Sequence, residues 1–294
     1  MSIDGIVLVD KPQGPTSHDV VARARKIFGT RKVGHAGTLD PMATGMLVLG
    51  IGKGTRLLGY LAASDKEYLA TMRLGMATDT DDAQGTVVSQ VDASLITDAQ
   101  ILEVVRDYRG HISQRPSSVS AIKIDGKRAY ARVRDGEQVE IPLREVTVQD
   151  LEILRIVHVP ELNVIDVDVR VVCSAGTYIR ALARDIGEQL QVGGHLTYLR
   201  RTRSGLFSQM VELEQLEKSR QFVSLPDAVR LAFPSVDLPE ADLVRARHGI
   251  RVPSPVDAKS GINGVFSRDG EVIALSENID NELVPVVVFV HGQQ

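Results

Sequence analysis

The chain has no tryptophan and a single cysteine, Cys173, in 294 residues. One cysteine excludes an internal disulfide and any CxxC metal site, and it suits a reducing compartment, so a cytoplasmic location is expected. No apolar run approaches the roughly 20 residues of a membrane-spanning helix. The longest, "GMLVLGIG", is short and broken by glycine, and no membrane contact is expected. "MSIDGIVLVDKP" lacks the basic start and small-residue cleavage site of a signal peptide. The seven histidines include no pair at i, i+4, and no metal ligation is expected. Internal repeats and low-complexity segments are also missing.

What is there describes an ordinary globular protein, 43% hydrophobic and 24% charged. A net charge of -4 argues against indiscriminate coating of nucleic acid. The basic residues nevertheless cluster, in 23–32 ("RARKIFGTRK"), 123–134 ("KIDGKRAYARVR") and 195–203 ("HLTYLRRTR"). One such cluster is ordinarily a solvated face. Three in a net-acidic chain point to a localised polyanion site.

"GIVLVDK" reads as a buried strand ended by Pro12, and Ser17 as the N-cap of a helix over 18–28 with Val20, Ala24, Ile27 and Phe28 inward. A loop over 29–45 precedes the strand "MLVLGI", and "RLLGYLA" reads as a short helix. "KEYLATMRLG" alternates as a strand, with Tyr68, Ala70, Met72 and Leu74 on one face. Residues 97–109 read as a helix with Thr97 and Gln100 as a capping box. "VTVQDLEILRIV" and "LNVIDVDVRVVCS" form a paired antiparallel ribbon with one wet face, and "TYIRALARDIGEQL" is a helix with Ile179, Leu182, Ala183, Ile186 and Leu190 inward. Strands and helices mixed without a βαβ repeat predict an α+β fold with a mixed, largely antiparallel sheet. Two prolines in "FPSVDLPEADL" suggest a division into 1–235 and a small β-rich module, 236–294, in which "NGVFSRDGEVIALS" is a hairpin across "RDG".

The stretch "GHAGTLDPMATGMLVLGIGKGTR" holds six glycines and one carboxylate, Asp40. A phosphate-binding loop fails on spacing, because Leu47 stands where the first glycine belongs and Gly54 where a hydroxyl should follow Lys53. "DTDDAQG" resembles the start of a calcium loop, but its glycine is one place late and its twelfth position is Gln90. Cys173 reads as a buried strand-end residue. Asp40 remains. Gly34, Gly37 and Gly45 would let a ligand's backbone approach it, and Pro41 biases it to extended geometry. A lone nucleophilic carboxylate suits attack at a glycosidic or electrophilic ring carbon. Glycoside hydrolysis would want a second carboxyl, and none is evident nearby.

This stretch resembles the signature loop of the bacterial tRNA pseudouridine-55 synthases. "DKPQGPTSHDVV", "KEYLATMRLGMATDTDDAQG", "SSVSAIKIDGKRAYARVRDGE" and "CSAGTYIRALARDIGEQL" resemble further family blocks in family order, covering about residues 4–205. The resemblance implies isomerisation of uridine to pseudouridine in the T loop of tRNA, by base flipping and without a cofactor. It implies that Asp40 is the catalytic aspartate, leaving open whether it attacks C1′, attacks C6 or abstracts a proton. Tyr68 matches the residue that stacks on the base, Tyr178 a second active-site tyrosine, Arg180 the arginine paired with the carboxylate and Leu199 an apolar pocket residue. His35 matches the residue that enters the vacated stack. Residues of about 117–145 resemble an RNA-gripping insertion, in which Lys123, Lys127, Arg128 and Arg132 would contact phosphates. The tail resembles a small PUA-type RNA-binding module. The expected partner is the tRNA T arm, met by a monomer with no obligatory protein partner. A non-catalytic RNA-binding relative, or a synthase acting on another RNA, are the rival readings.

Overall fold

The computed structural model describes residues 3–117 and 141–290, with the backbone of 123–124 and 127–128. Strand β1 (Gly5–Lys11) buries Val7, Val9 and Lys11 in alternation. Helix α1 (Ser17–Phe28) buries Val20, Ala24, Ile27 and Phe28 and is closed by Gly29 in the left-handed conformation. Its cap is Thr16, in a capping box with Asp19, and not the expected Ser17. The Ser17 hydroxyl is engaged elsewhere: it donates to the Leu39 carbonyl (3.0 Å) and accepts from the Leu39 amide (2.9 Å).

The expected loop 29–45 contains a strand. There β2 (Val33–Ala36) pairs antiparallel with β3 (Thr44–Ile51). "GKGTRL" then forms a 3-10 turn, Gly52–Leu57, and the helix α2 (Leu58–Ala62) begins later than expected. Strand β4 (Lys66–Leu74) alternates along its whole length. The pair β5 (Met76–Thr78) and β6 (Val87–Gln90) brackets the acidic turn. Helix α3 (Asp98–Asp107) starts on the Thr97–Gln100 capping box. Next come β7 (Gly110–Gln114) and the two-residue strands β8 (Lys123–Ile124) and β9 (Lys127–Arg128). The antiparallel ribbon is β10 (Arg144–Val159) with β11 (Val164–Cys173). Helix α4 (Ile179–Gln189), β12 (Gly194–Ser204), β13 (Val211–Glu212), α5 (Leu213–Ser219), β14 (Val223–Ser224) and α6 (Leu225–Ala232) complete the larger part.

Among the described residues the main sheet runs β13-β1-β3-β12-β4-β11-β10-β7, with β14 also on β1 and β2 on β3. Its pairs are antiparallel except β1 with β13 and β3 with β12. One face, with Val7, Val9, Leu47 and Leu49, is covered by α1, α3 and α4. The opposite face, at Ile6, Met46 and Val48, packs against Leu61 of α2 and Val229 of α6.

A second sheet, in the order β15-β17-β18-β19-β16, is built from β15 (Ser235–Asp237), β16 (Val252–Pro253), β17 (Gly261–Phe266), β18 (Val272–Ile279) and β19 (Glu282–Val288). Helix α7 (Glu240–Arg247) lies against it through Leu243 and Ala246. The β17–β18 hairpin crosses "RDG" as the sequence predicts. Phe266, Leu275 and Phe289 join Ile6, Met46 and Val48 in one buried cluster, so the tail sits directly on the main sheet. The architecture is the expected α+β, with a mixed sheet and a β-rich C-terminal part. Among the described residues no helix is long and apolar enough to cross a membrane.

Candidate active site

The loop between β2 and β3 carries Asp40, and its flanks are inside the protein. Leu39, Met42 and Ala43 are buried, and Ser17 holds both backbone groups of Leu39. On the other side the Lys11 ammonium donates to the carbonyls of Ala43 (2.7 Å), Pro12 (3.0 Å) and Pro41 (3.4 Å). Burial lowers the Lys11 pKa to about 8; the Asp40 charge opposes that and Arg201 adds to it. The loop glycines serve the protein's own contacts. A Cβ on Gly45, at φ 94°, would meet the Arg201 carbonyl oxygen at 2.2 Å, and one on Gly34 would meet the Leu58 side chain at 2.9 Å. These two admit β12 and α2, and not the ligand backbone that the sequence suggested, whereas Gly37 lines the cavity next to Asp40.

Arg180 stands in the first turn of α4 and bridges two carboxylates. Its Nη2 lies 3.0 Å from Asp40 Oδ2, and its Nη1 lies 3.0 Å from Asp82 Oδ2 and donates to the Thr80 carbonyl at 2.9 Å. Asp82 in turn accepts from the Thr80 hydroxyl (2.7 Å) and the Gln84 amide (3.0 Å). Arg180 and Asp82 are almost wholly buried, whereas a third of the Asp40 side chain (34%) is open. Burial raises the Asp40 pKa above its ordinary value; Arg180 opposes that, Asp82 adds to it and Lys11 opposes it. The arginine that the resemblance pairs with the carboxylate is in place and favours its ionised form, but burial outweighs it.

Asp40 and Arg180 open onto a cavity of about 440 Å³, walled by Tyr68, Tyr178 and Leu199, with Lys66, Arg144 and Arg201 around them. Small-molecule pockets run to about 300–1,000 Å³, so the space suits one nucleotide-sized group and not a duplex. Tyr68 comes from the buried face of β4, in register with Arg201 of β12; burial raises its pKa, and the Arg201 charge opposes that. Arg201 is itself buried, with Nε on the Met46 carbonyl (2.6 Å) and Nη2 on the Gly37 carbonyl (3.1 Å). Lys66 donates to the carbonyls of Ala62 and Ser64, and burial, reinforced by Arg201, lowers its pKa to about 8.

Five of the expected residues, Asp40, Tyr68, Tyr178, Arg180 and Leu199, therefore meet around one space. His35 does not line it. It lies on β2, edge-on to His18 with ring centroids 5.4 Å apart. Arg132 lies outside the described residues, as does most of 117–145, and Lys123, Lys127 and Arg128 are described by backbone alone. Parts of two basic clusters serve the fold. Arg23 pairs with Glu214 and Glu217, Arg200 holds Asp10 through two bonds, and Arg201 is interior. Arg25, Lys26, Arg31 and Lys32 stay exposed on and just after α1.

Among the described residues lining the cavity Asp40 is the one carboxylate. A glycosidase would face the substrate with a second, about 5–9.5 Å away. Asp82 is buried against Arg180 and does not line the space. No group of three or more His, Cys, Asp or Glu among the described residues is placed to hold a metal. The arrangement offers one carboxylate, a paired guanidinium and two tyrosines, which suits chemistry on a flat ring.

Lys11, Lys66, Asp82, Arg144, Arg201 and Gln114 escaped the sequence reading. A signal existed for some. Lys11 shares the buried parity of Val7 and Val9, and Lys66 that of Tyr68 and Ala70. Arg180 and Arg184, one helical turn apart, take Asp82 and Asp81 as partners, so two arginines on α4 were matched by two acids in "TDTDD".

Residues 25–179 match the family model "TruB family pseudouridylate synthase (N terminal domain)", and 180–229 match "tRNA pseudouridylate synthase B C-terminal domain". The chain is 52% identical over 290 residues to tRNA pseudouridine synthase B of Thermobifida fusca (strain YX), covering 97% of this chain and 98% of that protein. It is 53% identical over 291 residues to the protein of the same name from Mycobacterium sp. (strain KMS), covering 97% and 96%. Among solved structures, one of an H/ACA RNP bound to a substrate RNA containing 2′-deoxyuridine matches with TM-score 0.72 at 27% identity, over 97% of this chain and 85% of that one. A Cbf5-Nop10-Gar1 complex matches with TM-score 0.70 at 29% identity, over 98% and 84%. With the site's geometry and these likenesses together, the chain belongs to the TruB family of pseudouridylate synthases.

Proposed function

We propose that the protein is a tRNA pseudouridine synthase that isomerises uridine 55 of the T loop, without a cofactor, using Asp40. The observation that carries this is Asp40 paired with Arg180 in a nucleotide-sized cavity walled by Tyr68, Tyr178 and Leu199. A base stacked inside a folded loop cannot reach the carboxylate, so it is flipped out, at a cost on the order of a few kcal/mol. Stacking on Tyr68 returns about 1–3 kcal/mol. The N1–C1′ bond then breaks, the base turns, and C5 bonds to C1′. N1 gains a proton and C5 loses one, so no net atom or electron is required. Attack at C1′, attack at C6 and proton abstraction each require the ionised carboxylate.

His35 lies outside the cavity, which is where a group replacing an extruded base has to stand, and we assign it that role. Lys123, Lys127, Arg128 and Arg132 are proposed phosphate contacts, and 236–294 a PUA-like RNA-binding module beside a catalytic part, 1–235. The protein would meet the T arm of tRNA in the cytoplasm as a monomer.

Pseudouridine mapped in tRNA incubated with the purified protein tests the reading, and modification at position 55 is expected. Asp40→Asn should abolish product while RNA binding stays within about twofold, since the change removes a charge and no volume. Full activity in that variant would remove Asp40 from the chemistry.

A further inference from the structure

Helix α4 begins at Ile179, and its cap position is Tyr178, with φ −104° and ψ 105° and no side-chain cap. Tyrosine is a poor cap, because its hydroxyl is too far from the helix's free amides to satisfy one. The entry into the helix is set from outside instead. Gln114, at the end of β7, is 1% exposed and bonds Tyr178 on both sides: the Tyr178 amide donates to Oε1 (3.1 Å), and Nε2 donates to the Tyr178 carbonyl (3.3 Å). An N–H can only donate and a carbonyl only accept, so the orientation of the Gln114 amide is unambiguous.

The two bonds fix the peptide before Tyr178 and the peptide after it. They thereby set both backbone torsions at that residue, and with them the direction of the Tyr178 side chain and the start of the turn that carries Arg180. The same strand end is tied to the same helix one turn further on, where Arg184 Nη2 donates to the Arg115 carbonyl at 2.7 Å. Gln114 is also the register partner of Arg144, which lines the cavity. The strand pair β7–β10 flanks the stretch read as the RNA-gripping insertion.

We infer that Gln114 is a positioning residue for the isomerisation: its amide holds Tyr178 and Arg180 in the geometry that Asp40 needs. It touches no substrate and acts through the Tyr178 backbone. The inference rests on the cavity being the active site. Packing of Ile179, Leu182, Ala183 and Ile186 keeps α4 in place without it. What the amide adds is aim.

Total pseudouridine formed from tRNA, under single turnover with enzyme in excess, is compared for the wild type, Gln114→Met and Asp40→Asn, with tRNA affinity measured by filter retention. For Gln114→Met the rate at saturating enzyme should fall about tenfold or more, the scale of small misplacements in active sites, with the Kd within twofold. A rate within twofold of wild type, or a loss that saturating enzyme restores, overturns the inference. If Asp40→Asn keeps its rate, the reading of the cavity itself fails; if it is dead while Gln114→Met is fully active, this inference alone fails. Gln114→Glu decides the matter should the methionine variant not fold. A protonated carboxyl offers one donor and one acceptor in the same places, whereas a carboxylate repels the Tyr178 carbonyl. The ratio of its rate to wild type should climb as pH falls, and a flat ratio overturns the inference.

Discussion

Arg180 brings one positive charge to two carboxylates, and the pair it forms with Asp82 is the more deeply buried of the two. Asp82 holds the guanidinium in place, and Asp40 keeps an open edge toward the cavity. Because burial raises the Asp40 pKa above 3.8, the folded protein binds that proton more tightly than the unfolded chain does. Stability relative to Asp40→Asn should therefore fall as pH rises above 3.8 through the folded value, then level off. The rate should move the other way and rise with pH over that window, because the ionised form is the reactive one. An acid limb at or below 3.8 in the single-turnover rate would contradict the shift. Asp40 was legible in the sequence as the single acid of a dense loop, whereas alternation gave Tyr68 only a strand face and its place in the site came with the family resemblance. Asp82 showed only as one acid of "TDTDD", because its partner Arg180 is 98 positions away along the chain.

At the scale of elements, α4 matters most, since it carries Tyr178 and Arg180 into the cavity and rests on β12. The two come very close. A Cβ on Gly194 would meet the Ala183 carbonyl oxygen at 2.3 Å, and one on Gly187 would meet the Gly193 carbonyl carbon at 2.3 Å. Both obstacles are backbone, which cannot rotate aside. Gly194→Ala should therefore cost about 2–3 kcal/mol, read as a lower urea midpoint at unchanged m, and activity should fall as the helix is lifted with Arg180. An unchanged midpoint would show that the interface can yield. The helix itself could be read from its 3.6-residue apolar stripe, and β4, β10 and β11 from alternation. Strand β2 could not, since "VGHA" has two residues per face and owes its strand geometry to β3 alone. The start of α1 is ambiguous by one position because Thr16 and Ser17 both offer a hydroxyl, and the choice depends on Leu39, which takes the Ser17 hydroxyl.

The whole molecule carries a net charge of -4 and is proposed to bind a polyanion. Attraction must then come from a few local cations, and binding should weaken steeply with salt. Lys127→Ala with Arg128→Ala should reduce the slope of log affinity against log salt by about 0.7–0.9 for each phosphate left without its cation. An identical slope would free both residues from that role. The fold class could be read from the mixture of elements, but the strand order could not, because the main sheet joins strands from opposite ends of the chain. Val9 pairs with Val211 and Ile6 with Val223, and the face carrying Ile6 is completed, beyond Leu61 and Val229, by Phe266, Leu275 and Phe289. At synthesis rates of about 5–20 residues per second, the first strand to leave the ribosome waits on the order of 10–60 s for these partners. The N-terminal strand thus spends that interval with the Ile6 face only partly covered, and a nascent chain stalled anywhere before the tail would be a natural client for chaperones.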